Sequence, residues 1–109
     1  MPAVSATDNC LIIVGYVVGQ CEMRTSPAGV PIGRFLLEHR SSQMEAGLAR
    51  EVYCRIPVVA CGAPVANVVC DLVPGEAVRV RGFVGRANNR EGEYRLVLHA
   101  AHIEIFNAD

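Results

Sequence analysis

An all-β barrel of five strands with one short helix between the third and fourth is the fold that the sequence predicts. Three observations carry this expectation. Val-rich apolar runs recur along the chain, separated by turn-forming segments, as expected of residues that pack on pleated surfaces. Within several runs, apolar and charged side chains alternate with the period of a strand, and a single stretch changes to a helical period. The 109 residues, 51% of them hydrophobic, can close one core but not two, so one domain over 1–109 is expected, with loose ends at about 1–9 and 107–109.

The first strand is Cys10 to Gln20, a run of branched apolar residues in which Gly15 and Gly19 allow a bend or bulge at a barrel corner. Residues 24 to 31, Arg-Thr-Ser-Pro-Ala-Gly-Val-Pro, have the chemistry of a projecting hairpin loop. The second strand, Ile32 to Arg40, places Phe35 and Leu37 toward the core and Arg34, Glu38 and Arg40 on the other face, with Leu36 interrupting the polar side. Ser41 to Ala49 is polar with Gly47 near its end and is read as a loop. The third strand, Arg50 to Val59, is expected to turn Val52, Cys54 and Ile56 inward and Glu51, Tyr53 and Arg55 outward.

Between Gly62 and Pro74, Val65, Val68, Val69 and Leu72 stand at i, i+3, i+4 and i+7, the stripe of a short amphipathic helix, and Pro74-Gly75 stops it. An extended conformation for this Val-rich run, giving an open sandwich, is the structural rival. The fourth strand, Glu76 to Gly85, puts Val78, Val80 and Val84 on one face and Arg79 and Arg81 on the other. A polar loop, Arg86 to Gly92, leads to the fifth, Tyr94 to Phe106. The order β-β-β-α-β-β is that of the oligonucleotide-binding (OB) fold, whose second and third strands and whose β1-β2 and β4-β5 loops usually meet ligand. Fold by itself does not assign a function.

Composition narrows the function classes. There is no apolar run of membrane-spanning length and no signal-like start, so a cytoplasmic protein is expected. Five cysteines without a secretory signal read as free thiols in or beside apolar runs, where a cysteine is commonly a small core residue. They form no C-x2-4-C pair and the three histidines form no H-x3-5-H pair, so no metal site is expected. His99, between Leu98 and Ala100, reads as a packed or dimer-facing imidazole. Nucleotide-binding glycine motifs, nucleophile elbows and paired carboxylates are absent, which points to a binding protein with no cofactor, not an enzyme.

The net charge of −1 offers no global attraction to a polyanion. All ten basic residues are Arg, however, and Arg can both bond phosphate and stack on bases. The candidate ligand surface is the outward face of the second and third strands, with Arg34 and Arg40 beside Tyr53 and Arg55. Arg24 joins from one loop and Arg86, Arg90 and Arg95 from around the other. Guanidinium groups along phosphates with a ring under the bases is the pattern of single-strand binding. The bland alternative is an ordinary solvated surface, with Glu38, Glu51, Glu91 and Glu93 absorbing the positive potential and Tyr53 merely packing on its strand.

The segments Ser26-Pro27-Ala28-Gly29-Val30-Pro31, Phe35-Leu36-Leu37-Glu38-His39-Arg40-Ser41 and Glu45-Ala46-Gly47 resemble bacterial primosomal replication protein N, also called primosomal protein B. The likeness continues through Cys54-Arg55-Ile56-Pro57-Val58-Val59, Gly82-Phe83-Val84 and Val97-Leu98-His99-Ala100, covering about Leu11 to Ile105. It implies a homodimeric OB-fold relative of single-stranded DNA-binding proteins, without catalytic activity. Such proteins bind single-stranded DNA and the primosomal DNA helicase, with a helicase-loader protein as a further partner in some bacteria. By position, the family's DNA-contacting places fall on Arg24, Arg40, Tyr53, Arg90 and Arg95. Two places depart from the pattern: Tyr53 stands where some relatives have Trp, and Leu48 where an aromatic is found. The loop Ala87-Asn88-Asn89-Arg90-Glu91 is also less basic than in lysine-rich members. Weak DNA binding follows as an expectation, and the alternative function is a protein-interaction adaptor of the same complex that scarcely holds DNA.

Overall fold

Alternating apolar side chains on several strands bury themselves only if the strands enclose a common interior, and here the sheet closes on itself. The computed structural model describes residues 7–87 and 95–106. Its strands are β1 (Leu11–Thr25), β2 (Pro31–Glu45), β3 (Leu48–Cys61), β4 (Ala77–Arg86) and β5 (Leu96–Phe106), and α1 (Ala63–Cys70) lies between β3 and β4. They form a closed barrel in the order β1-β2-β3-β5-β4, sealed where β3 and β5 run parallel through Val58 opposite Leu98 and Val59 opposite His99. The open-sandwich rival is thereby set aside.

The interior is filled by alternate residues of the strands, among them Phe35, Leu37, Val78 and Val80, which the sequence singles out. Phe35 and Leu37 of β2, Val58 and Ala60 of β3, Val78 and Val80 of β4, and Leu98 and Ile103 of β5 are all buried. Helix α1 adds Val69, and Leu72 follows just after its end; Val65 and Val68 pack partly buried against the same cluster. The helix stops earlier than Pro74-Gly75, because the backbone N–H of Asp71 already bonds the Val68 carbonyl as its C-terminal cap.

β1 serves two neighbours. Leu11 to Tyr16 pairs with β4, whereas Tyr16 to Val18 and then Glu22 to Thr25 pair with β2. The break between Val18 and Glu22 is a bulge in which Gly19 takes a φ of 71°, the bend that the glycine foreshadows. Gly15 has a different cause: a Cβ there would collide with the Glu38 carbonyl of β2, so its lack of a side chain permits close strand crossing.

Four expectations are corrected. The loop over 24–31 is only a tight turn, closed by Ser26 N–H to Val30 O and Gly29 N–H to Ser26 O, both 2.9 Å. Ser41–Ala49 is not a loop: the β2–β3 pairing runs without interruption from Ile32 opposite Cys61 to Glu45 opposite Leu48, joined by Ala46 and Gly47. Residues 42–51 of this hairpin are exposed throughout, with no barrel behind them. For the same reason Cys54 is exposed, not inward, and Val52 and Ile56 are only half-buried. Nor are the cysteines core residues: Cys10, Cys54, Cys61 and Cys70 are exposed free thiols, and only Cys21 is half-buried.

Candidate nucleic-acid interface

The outward positions of β2 and β3 form one wall of an open groove. Arg34 and Leu36 of β2 and Arg55, Pro57, Val59 and Cys61 of β3 share it, because alternate residues of paired strands face the same side. Arg24 enters from β1, which pairs with β2 opposite Ile32. Arg86 and Arg95 enter from the two ends of the β4–β5 connection, held together at its base by Ala87 N–H to Arg95 O at 2.9 Å. The groove encloses about 720 Å³, and no carboxylate stands among its described lining residues. Five of the eight candidate residues, Arg24, Arg34, Arg55, Arg86 and Arg95, therefore converge on it.

Arg40 and Tyr53 lie farther along the same outward face, directly opposite each other across the hairpin. The Arg40 guanidinium sits 4.4 Å over the Tyr53 ring, a cation–π contact at an exposed site. Arg90 falls outside the described residues, as do Glu91 and Glu93.

Glu38 is the counter-charge of this end. Its carboxylate accepts from Arg55 at 2.9 Å and Arg40 at 3.4 Å, and the Tyr53 hydroxyl donates to it at 3.4 Å. Desolvation pushes the Glu38 carboxyl up, but hydrogen bonds from Arg55 and Arg40, followed by their charges, outweigh it and hold the pKa below its ordinary value. The Arg55 guanidinium is raised in turn, chiefly by its hydrogen bonds to Tyr53 and Glu38. Among the described residues, Arg24, Arg34, Arg86 and Arg95 have no carboxylate partner and can take an anionic ligand without first breaking an ion pair.

Sequence reasoning missed one element of the surface. Phe83 of β4 is half exposed, and its ring stacks on His99 of β5 with centroids 4.8 Å apart and planes 13° apart. His99 also lines the groove. The available signal was the odd position of Phe83, out of phase with Val78, Val80 and Val84 on the same strand.

A groove lined by arginines, with no carboxylate among its described lining residues, suits an extended polyanion. Residues 9–102 match a family described as another single-strand binding protein family. The replication restart protein PriB of Proteus mirabilis is 39% identical over 102 residues, spanning 94% of this chain and 97% of that protein. The chain belongs to the PriB family of single-strand binding proteins. The PriB of Photobacterium profundum is 45% identical over 97 residues, covering 89% of this chain and 93% of its own length. The PriB structure from Ralstonia solanacearum superposes with a TM-score of 0.78 at 34% identity, covering 91% of this chain and 98% of that one. The resemblance and the OB barrel read from the sequence are thus both confirmed. Among the described residues, no three His, Cys, Asp or Glu side chains gather as a metal site, and no helix is long and apolar enough to cross a membrane.

Proposed function

We propose that the protein is a non-enzymatic accessory factor of replication restart that binds single-stranded DNA along the arginine groove and stimulates the primosomal helicase. The observation that carries this reading is the convergence of Arg24, Arg34, Arg55, Arg86 and Arg95, from five separate strands or their ends, on one groove with no carboxylate among its described lining residues. Phosphates pass along those guanidinium groups, and Tyr53 receives a base at the outer end once Arg40 swings aside. Arg90 follows the groove-lining Ala87 by three residues in sequence, within the same β4–β5 connection, and is counted with the DNA-contacting arginines of this reading. Handing the strand to the helicase, with a helicase loader as a further partner, requires reversible binding, which suits a single exposed tyrosine on the hairpin. The name of its relatives, replication restart protein, supports the replication-restart role, and action within the primosome in the cytoplasm belongs to the proposal.

A homodimer belongs to this reading. Leu11–Gly15 of β1 pairs as a strand with β4 but not with β2, which leaves one edge of that segment open to a second copy. Ile12, Val14 and Tyr16 of β1 stand 57%, 41% and 56% exposed in a row, bordered by Arg79, Arg81, His102 and Glu104. An apolar stripe rimmed by both signs of charge is self-complementary across a twofold axis.

The experiment is fluorescence anisotropy of a labelled oligothymidylate at low and moderate salt, with Arg34→Ala and Tyr53→Ala variants. Salt-sensitive binding weakened by both changes is expected. No binding at low salt would overturn the reading in favour of a protein-interaction adaptor with little direct DNA contact.

A further inference from the structure

Aromatic side chains are scarce here, six in all, and where each one stands is informative. Phe35 is buried in the core, and Phe106 lies under the Arg79 guanidinium at 5.3 Å. Tyr16 stands on the apolar stripe of β1 and Tyr53 on the hairpin. Phe83 alone among the described aromatic rings is half exposed, next to the arginine groove, and stacked on another ring.

Its surroundings are built for flat contact. Phe83 and His99 are cross-strand partners on β4 and β5, and their planes differ by only 13°. The imidazole leans over Gly85, where a Cβ would come within 3.2 Å of its Nε2, so a side chain at 85 would press on the imidazole. His99 also pairs across the barrel seam with Val59 of β3, whose side chain lines the same groove. A continuous outward path therefore leads from Arg34 on β2 through Arg55 and Val59 on β3 to His99 on β5 and Phe83 on β4.

We propose that the Phe83–His99 ring pair is a second nucleobase platform, so that a bound strand runs from Tyr53 along the groove and across the seam onto β5 and β4. The proposal rests on the groove reading above. An unpaired base is the occupant that fits: it offers a π-face to a flat ring stack, and its phosphates meet Arg86 and Arg95, which line the groove beside His99. A folded protein partner would need a broader apolar surface than one ring pair bordered by arginines.

The test compares anisotropy titrations of an oligothymidylate and an abasic oligonucleotide of equal length, because only the first can stack. The intact protein should prefer the thymidylate. Phe83→Leu, which keeps apolar bulk but removes the ring, should narrow that preference by at least about fivefold while leaving abasic binding unchanged, and Phe83→Tyr should restore it. Two results would overturn the platform while keeping the groove: Phe83→Leu leaving thymidylate binding intact while Arg34→Ala weakens it, or Phe83→Leu weakening both oligonucleotides equally. Failure of the unaltered protein to bind either oligonucleotide would remove the groove and the platform together.

Discussion

The guanidinium of Arg40 covers the ring of Tyr53 at 4.4 Å, and the Glu38 carboxylate accepts a hydrogen bond from each at 3.4 Å. Under the proposed groove reading, this end of the surface carries a substitute for DNA: a carboxylate where a phosphate would sit and a planar cation where a base would stack. Binding must exchange these contacts for those of the strand. Glu38→Gln should therefore strengthen oligothymidylate binding by about threefold at low salt, the scale of one exposed ion pair, with the gain shrinking as salt rises. Anisotropy titrations at two salt concentrations check this.

The same carboxylate gives a pH signature. The folded protein holds the Glu38 pKa below its ordinary 4.5, so the folded state favours the ionised form. Its contribution to stability is fully present above that ordinary value and is lost as pH falls through the lower folded value. Urea midpoints of the wild type and Glu38→Gln should differ near neutrality and converge as pH drops from about 6 to about 3. A constant difference across that range would mean that the glutamate acts through packing instead of charge.

How much of this was legible in the sequence differs by region, for physical reasons. Where one face of a strand is buried, alternation reveals it, which is why Phe35 and Leu37 and the Val78–Val80 pair are readable directly. Over 42–51 both faces are in solvent, so no apolar period exists and a long hairpin has the composition of a loop. Continuing the alternation past the barrel wall then assigned Cys54 to a core that does not extend so far. The arginines of the groove were identifiable as outward residues, but the union of Arg24 with Arg86 and Arg95 depends on barrel closure, which no local pattern encodes. Phe83 is legible as outward from its phase against Val78 and Val80, but its stacking on His99 depends on the β4–β5 register, which the sequence does not show.

The turn at the tip of the hairpin carries strain that can be removed. Ala46 and Gly47 both have positive φ, 55° and 79°, the arrangement of a two-residue type I′ turn. Glycine adopts it freely, whereas alanine places a Cβ near the following carbonyl. Ala46→Asn should stabilise the hairpin by up to about 1 kcal/mol, raising the thermal midpoint without altering DNA affinity. Differential scanning calorimetry alongside anisotropy separates the two effects.

Thiol chemistry follows exposure. Cys10, Cys54, Cys61 and Cys70 are exposed, whereas Cys21 is half-buried, and burial followed by the nearby Glu76 charge raises its pKa above 9.0. With less thiolate and less access, Cys21 should be the slowest to alkylate at neutral pH, while the other four react together. Cys61 lines the groove, so saturating oligothymidylate should slow its modification specifically. Iodoacetamide labelling read by peptide mass spectrometry, with and without DNA, resolves each position; equal protection of all four would instead indicate a global change.

Each groove arginine should also leave a mark on the salt dependence of binding. A guanidinium that neutralises one phosphate releases the counterion condensed there, contributing about 0.7 to the slope of log affinity against log salt for a single strand. Arg34 is exposed, has no carboxylate partner among the described residues, and lines the groove. Arg34→Ala should lower that slope by about 0.7 and weaken binding by a similar factor for every base composition, because a phosphate contact carries no sequence information. Arg79, ion-paired with Glu104 at 3.3 Å and outside the groove lining, is the internal control. Arg79→Ala should leave the slope unchanged, and an equal loss from both variants would show that net charge, and not the groove, governs association.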